Sequence, residues 1–152
     1  MPVINLFLDS SALVAGIVSA KGAARALLLL AEAGQIALTI SEQVVAETER
    51  AIARKVPLAL SDLRQAILAS QAQIVRDPSP EEVSTHPDLI SHPADIPIVV
   101  AAMQAKVGYL VTLNRKHFID DPEVARKSGL IIGTPGDALS WVRGQIFTEN
   151  QS

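Results

Sequence analysis

The sequence predicts an α/β fold with a central, mainly parallel sheet between helical layers, and three observations lead there. Short apolar runs rich in strand formers alternate with longer helix-like segments along the 152 residues. No Asn-Gly or Asp-Gly pair marks a tight hairpin between neighbouring strands. Hydrophobic residues make up 49% of the chain but aromatics only 3%, so the core must be built from Ala, Val, Leu and Ile, which suit the gap between helices and a sheet.

The elements follow in order. Val3 to Leu8 is an apolar, strand-like run that stops at the polar cluster Asp9-Ser10-Ser11, a helix start. Lys21 to Gly34 reads as a helix with Gly34 as its stop. Its stretch Ala26 to Ala31 is apolar nearly all round, which predicts burial on several sides or a partner subunit. Ile36 to Ile40 is a second strand, and Ser41 caps a helix to about Lys55. Pro57 to Gln71 holds a further helix, and Gln73 to Arg76 a short strand.

Ser79-Pro80-Glu81-Glu82 has the form of a capping box with proline at the first helical position. His86 to Pro93 is a loop, and Asp95 to Val107 a helix closed by Gly108. Tyr109 to Thr112 is a strand, followed by the polar turn Leu113 to Lys116. Asp120 and Asp121 read as caps before Pro122, and Leu130 to Ile132 is the last strand. Thr134-Pro135-Gly136-Asp137 opens a final helix to about Ile146. The expected organisation is one domain over 1–147 with a frayed tail over 148–152.

Composition narrows the chemistry. The chain has no cysteine, which excludes disulfides and thiolate metal sites and leaves oxygen and imidazole as the available donors. Carboxylate-rich oxygen sites favour Mg²⁺ or Mn²⁺. A net charge of -3 provides no global field for nucleic acid, so binding of that kind must use a local patch. The start lacks a basic region and meets a charge at Asp9, and no apolar run is long enough for a membrane helix. The expected location is the cytoplasm.

In parallel α/β folds ligands collect beyond the carboxyl ends of the strands. Asp9 and Asn114 follow two of the predicted strands, Glu47 lies on the helix after the second, and Asp95 opens the helix before the Tyr109 strand. If the fold gathers them, the carboxylates repel one another, and a divalent cation relieves that repulsion while leaving room for a substrate phosphate. Arg115 and Lys116 could hold phosphates, and Ser10 and Ser11 could support the site through their hydroxyls. Each residue also has a plain structural reading. Asp9 and Asp95 are well placed as helix caps, Glu47 could belong to a solvated stripe with Arg50 and Arg54, and Asn114 suits a turn. His117 could be a half-buried core residue. No serine has a credible His–Asp set, and no glycine-rich phosphate loop is present.

Three segments carry a resemblance beyond these rules. FLDSSALVAG around Asp9 resembles the opening motif of PIN domains, and SEQVVAETERAI resembles their second, with Glu47 in the acidic position. HPADIPIVVAAMQAKVGYLVTLNRKHF resembles the third and fourth motifs run together and carries Asp95 and Asn114; it is the most specific of the three. The resemblance spans about residues 3–135. It implies a PIN-like three-layer α/β/α sandwich and a Mg²⁺- or Mn²⁺-dependent nuclease, most often an endoribonuclease cutting RNA. Asp9, Asp95 and Glu47 would be its metal ligands, Asn114 a further catalytic residue, and Arg115, Lys116 and Ser10 its substrate contacts. Many small relatives resemble the toxin half of VapBC toxin–antitoxin pairs, which implies a cognate antitoxin and a homodimer.

The chain departs from the fullest family pattern at three places. Asn114 stands where an Asp is common, His117 where many toxins carry another Asp, and His92 where many relatives place an acid. These neutral residues motivate a second reading, a degenerate PIN module that binds RNA or protein without cleaving. A third reading makes Asp9 the nucleophile of a phosphotransfer or receiver-like domain, although Ser11 occupies the position where one such phosphatase class needs a second Asp.

Overall fold

In the computed structural model, which describes residues 4–151, five parallel strands form one sheet in the order β3-β2-β1-β4-β5. The strands are β1 (Asn5–Leu8), β2 (Ala37–Ser41), β3 (Gln73–Val75), β4 (Tyr109–Val111) and β5 (Ile132–Gly133). The helices are α1 (Ser10–Val18), α2 (Ala23–Glu32), α3 (Glu42–Lys55), α4 (Leu60–Ser70), α5 (Pro80–Ser84), α6 (Ile96–Gln104), α7 (Pro122–Ser128) and α8 (Pro135–Gln151). They flank the sheet as the expected α/β/α arrangement, with α1 to α4 and α8 in mutual contact and α5 to α7 forming a second group.

β1 is central because both its faces are apolar: Leu6, Phe7 and Leu8 are all buried. It pairs with β2 on one side and β4 on the other, and Leu8 lies beside Val111. The chain leaves β1 toward β2 and β3 and later returns to β4 and β5. The carboxyl ends of β1 and β4 therefore flank the point where strand order reverses, the usual place for a crevice in such sheets.

Local signals set most element ends. Asp9 caps α1 by accepting from the Ala12 N–H, and Ser41 caps α3 by accepting from the Val44 N–H. The capping box at Ser79 and Glu82 forms in both directions. Asp121 caps α7 by accepting from the Glu123 N–H, while Asp120 closes the preceding turn instead. Two ends differ from the sequence expectation. The helix expected to run from Asp95 to Val107 is regular only over Ile96–Gln104, because Lys106 takes a left-handed φ of 54° and turns the chain into β4. α8 continues past Ile146 and includes the stretch from Thr148 to Gln151.

The apolar stretch on α2 is used within the chain. Leu27, Leu28 and Ala31 are buried where α1, α4 and α8 close around them, and only Leu29 is half exposed, at 50%. Gly16 lets α1 approach this closely, since a Cβ there would lie 2.8 Å from Leu28 Cδ1. Among the described residues no single helix is long and apolar enough to cross a membrane.

Candidate metal and nucleic-acid site

The site begins with Asp9. As the residue between β1 and α1 it must leave the strand and cap the helix, and its backbone N–H extends the sheet by donating to Val111 O at 3.1 Å. Its carboxylate is buried and held by three donors. The Ala12 N–H reaches Oδ1 at 3.0 Å, the Ser11 hydroxyl reaches the same oxygen at 2.7 Å, and the Thr112 hydroxyl donates to Oδ2. Burial raises its pKa above the ordinary value of 3.8. The three donors oppose that shift, and the charge of Asp95 adds to it.

Asp95 sits at the end of a 3-10 turn (Pro93–Asp95) that leads into α6. Its backbone is helical, with φ -92° and ψ -10°, and its side chain makes no capping bond, so the reading of Asp95 as an ordinary helix cap does not hold. Its Oδ2 is buried and has no hydrogen-bond partner among the described residues. Burial again raises its pKa; His92 and His117 pull it down, and Glu47 pushes it up. Asp95 thus interacts electrostatically with Asp9 on one side and with Glu47 on the other.

Glu47 does not join Arg50 and Arg54 in a solvated stripe. It is half buried on α3, where Oε1 accepts from the Ser10 hydroxyl at 3.0 Å and Oε2 from Gln43 Nε2 at 3.1 Å. Gln43 also donates to Ala94 O at 2.9 Å, which ties the first turn of α3 to the residue before Asp95. Its backbone N–H donates to Asp77 Oδ1 at 2.8 Å.

Asn114 caps a single wide turn, Arg115–Ile119, closed by Asp120 N–H donating to Arg115 O at 2.7 Å. The Asn114 Oδ1 accepts from the His117 N–H at 3.1 Å, with the Asn114 backbone at φ -83°. The side chain is committed to shaping this turn, which brings His117 to Asp95: Nδ1 lies 3.8 Å from Oδ2. The His92 ring stacks on His117 with centroids 4.9 Å apart.

Arg115 and Lys116 are both exposed. Arg115 lines a cavity of about 350 Å³ with Lys21, Leu113 and the start of α8. It also helps hold the Asp137 carboxyl below its usual range, behind the stronger bonds from the Thr134 N–H and hydroxyl. Ser10 is turned toward Glu47.

The fold thus couples Asp95 to both Asp9 and Glu47, and links Asn114 to Asp9 through the Thr112 hydroxyl. Among the described residues no three or more His, Asp or Glu side chains meet closely enough to form a ready-made cage. The donor set still suits a hard divalent cation, which commonly takes one or two carboxylates and completes its shell with water and phosphate. The unpartnered Oδ2 of Asp95 is the observation that fits such an ion. Sequence reasoning missed Thr112 and Gln43 as supports. Thr112 ends a strand in an otherwise apolar run, and Gln43 stands four residues before Glu47 on one helix face; both were legible signals.

Comparisons with known proteins follow the same line. A family model described as a PIN domain matches residues 5–116. No curated protein matches significantly. Among solved structures, PAE2754 from Pyrobaculum aerophilum is similar with a TM-score of 0.63 at 19% identity, over 93% of this chain and 90% of that one. VapBC2 from Rickettsia felis, bound to a DNA fragment from the promoter, gives 0.59 at 23% identity, over 86% and 98%. VapC20 from Mycobacterium tuberculosis, a sarcin-ricin loop cleaving toxin, gives 0.53 at 15% identity, over 73% and 91%. At these identities the structural matches speak to the fold.

Proposed function

Because this chain belongs to the PIN-domain family, we propose that it is a metal-dependent endoribonuclease whose centre is Asp9, Asp95 and Glu47. The observation that carries this reading is the buried Asp95 Oδ2 with no donor, set between two other carboxylates. An acid in that position, neither capping nor hydrogen-bonded at its buried oxygen and with only the His117 ring nearby at 3.8 Å, is poorly explained by structure alone.

Asp9 and Asp95 would hold a Mg²⁺ or Mn²⁺ ion, with Glu47 facing it directly or through water. When bound, the ion supplies the positive charge that phosphodiester hydrolysis needs at the phosphoryl oxygens and on the attacking water. The protein's own groups do the rest. Thr112, Ser11 and the Ala12 N–H fix the Asp9 carboxylate. Ser10 and Gln43 fix Glu47, which can accept a proton from water. Arg115 and Lys116, exposed on the turn after Asn114, would draw the RNA backbone toward the crevice by charge.

The VapBC2 and VapC20 neighbours extend the reading to a toxin of a type II pair, with a cognate antitoxin as partner. A homodimer remains part of that proposal, but its original motive on α2 is met by internal packing.

The test is an RNase assay on purified protein with Mg²⁺, Mn²⁺ or EDTA, using structured and single-stranded RNA. Cleavage should need the metal and vanish in Asp9→Asn and Asp95→Asn, each of which removes charge with little change in volume. Full activity in both folded variants overturns the site assignment. Absence of cleavage by metal-loaded wild type overturns the nuclease in favour of the binding module.

A further inference from the structure

A chain of net charge -3 needs a local basic patch to hold nucleic acid, and one lies in a cavity beside the acidic site. The cavity of about 350 Å³ is lined by Lys21, Arg115, Leu113 and the starts of α2 and α8. Leu113 follows β4 and Thr134 follows β5, so the cavity lies along the same carboxyl edge of the sheet as Asp9. One hydroxyl joins the two places. Ser11 donates to Asp9 Oδ1 at 2.7 Å and accepts from the Leu113 N–H at 2.9 Å. Ala15, also in the lining, is six residues along α1 from Asp9, a rise of about 9 Å.

The two cations are free to meet a ligand. Lys21 and Arg115 are exposed, and neither makes an ion pair among the described residues. Their backbones are nevertheless held. The Ser19 hydroxyl donates to Lys21 O at 2.5 Å, and Arg115 O accepts from the Asp120 N–H at 2.7 Å. The charge of Asp137 reaches Arg115, but its Oδ2 is taken by the Thr134 N–H at 3.1 Å. Gly22 before α2 has no side-chain oxygen to cap the helix, so the N–H groups of its first turn stay open on the same side as Lys21. Between these donors the floor is apolar, with Ala24, Leu113 and Pro135 in it. Ligand pockets span roughly 300–1,000 Å³, so this one sits at the small end, suited to a single flat ring and its sugar.

We propose that the cavity is a subsite for one unstacked nucleotide of single-stranded RNA beside the bond to be cut, with the base on the apolar floor and the phosphate between Lys21, Arg115 and the open start of α2. The inference rests on the nuclease reading above and deepens it by naming the substrate class. A base held in duplex RNA stays stacked and paired and does not enter such a cavity, so the subsite selects against double strands.

The experiment uses the full chain in EDTA, where binding is read without cleavage. The probes are a short fluorescein-labelled single-stranded RNA and the same sequence as a duplex, followed by anisotropy across a salt series. Wild type should bind the single strand more tightly. Lys21→Ala should weaken binding and reduce the slope of log K against log salt by about 0.7, the loss of one phosphate contact. Ala24→Leu fills the floor and should weaken single-strand binding by about tenfold, the contribution of one bound base, with little effect on the duplex. Lys21 is exposed, so its variant tests the subsite even if Ala24→Leu does not fold. Single-strand affinity unchanged in both folded variants overturns the subsite, leaves the cavity to a protein partner, and does not touch the nuclease reading, which its own cleavage assay decides. Equal loss on both RNAs in Ala24→Leu overturns the lodged base. Wild type that binds neither RNA overturns the subsite, and with no metal-dependent cleavage the nuclease falls too.

Discussion

The Thr112 hydroxyl donates to Asp9 Oδ2 across the seam between β4 and β1, joining residues 103 positions apart. It simultaneously accepts from the Asn114 N–H at 3.0 Å. One hydroxyl thus fixes the buried carboxylate and begins the turn that carries Asn114 and His117.

Thr112→Val keeps the shape of that side chain and removes both bonds. It should destabilise the protein by about 2 kcal/mol near neutral pH, where Asp9 is asked to be ionised. Urea unfolding measures the loss, and a change below about 0.5 kcal/mol would argue that the bond contributes little.

Burial raises the pKa of Asp9 and Asp95 above 3.8, so the folded chain holds their protons more tightly than the unfolded chain. In the window above that value the folded state binds more protons, and stability contributed by these groups falls as pH rises. In EDTA, Asp9→Asn should therefore gain stability relative to wild type at about pH 7 and little at about pH 4. Comparing the two proteins cancels the opposite trend of the exposed acids Glu82 and Glu123, whose pKa values are lowered. Melting curves at both values provide the check, and a difference independent of pH contradicts the assignment.

Gln43→Ala removes the donor shared by Glu47 and Ala94 O. Supporting residues of this kind change metal affinity or activity by about 10–100-fold. The variant should bind Mn²⁺ more weakly in calorimetry while keeping a near wild-type melting temperature. A large loss of stability with unchanged metal affinity would show that Gln43 serves the fold alone.

Gly133 lies in β5, where an added Cβ would stand 2.2 Å from the Tyr109 hydroxyl and 3.0 Å from Asp137 Cβ. Gly133→Ala should cost about 1–3 kcal/mol by overpacking. Tyr109→Phe removes the nearest atom and should restore part of the loss in the double variant. A double-mutant cycle in urea measures this coupling, and simple additivity would reject the steric cause.

Leu28 and Leu29 are adjacent on α2, yet one is 3% exposed and the other 50%. Leu28→Ala should cost about 2–5 kcal/mol. Leu29→Lys should cost under about 0.5 kcal/mol and leave the mass by light scattering unchanged. A change of oligomeric state in Leu29→Lys would place α2 at a subunit interface after all.

The strand order could not be read from the chain, because pairing depends on which apolar run fits between which others. The strands themselves were legible: Leu6-Phe7-Leu8 and Leu110-Val111 are the apolar runs a doubly covered parallel sheet needs. Helix starts were equally clear at Asp9, Ser41 and Ser79, where a side-chain oxygen meets a free N–H. The end of α6 was not, since a lysine at positive φ carries no local signal and Gly108 offered a false one. At the site, carboxylate identities were readable, but their partners were not. Glu47 had arginines at helical spacing, and only the fold shows that Ser10 and Gln43 engage it instead.

The central position of β1 has a consequence during synthesis. Its partner on one side is made soon after it, but Leu8 must wait for Val111 before its second edge is filled. A ribosome that has delivered β3 has produced three of the five strands, with Asp9 lacking both Thr112 and Asp95. Closing so long a loop is a slow, late event. The acidic crevice therefore comes into being only after β4 has been made, and a product cut short before it carries the first carboxylates without the centre they help to build.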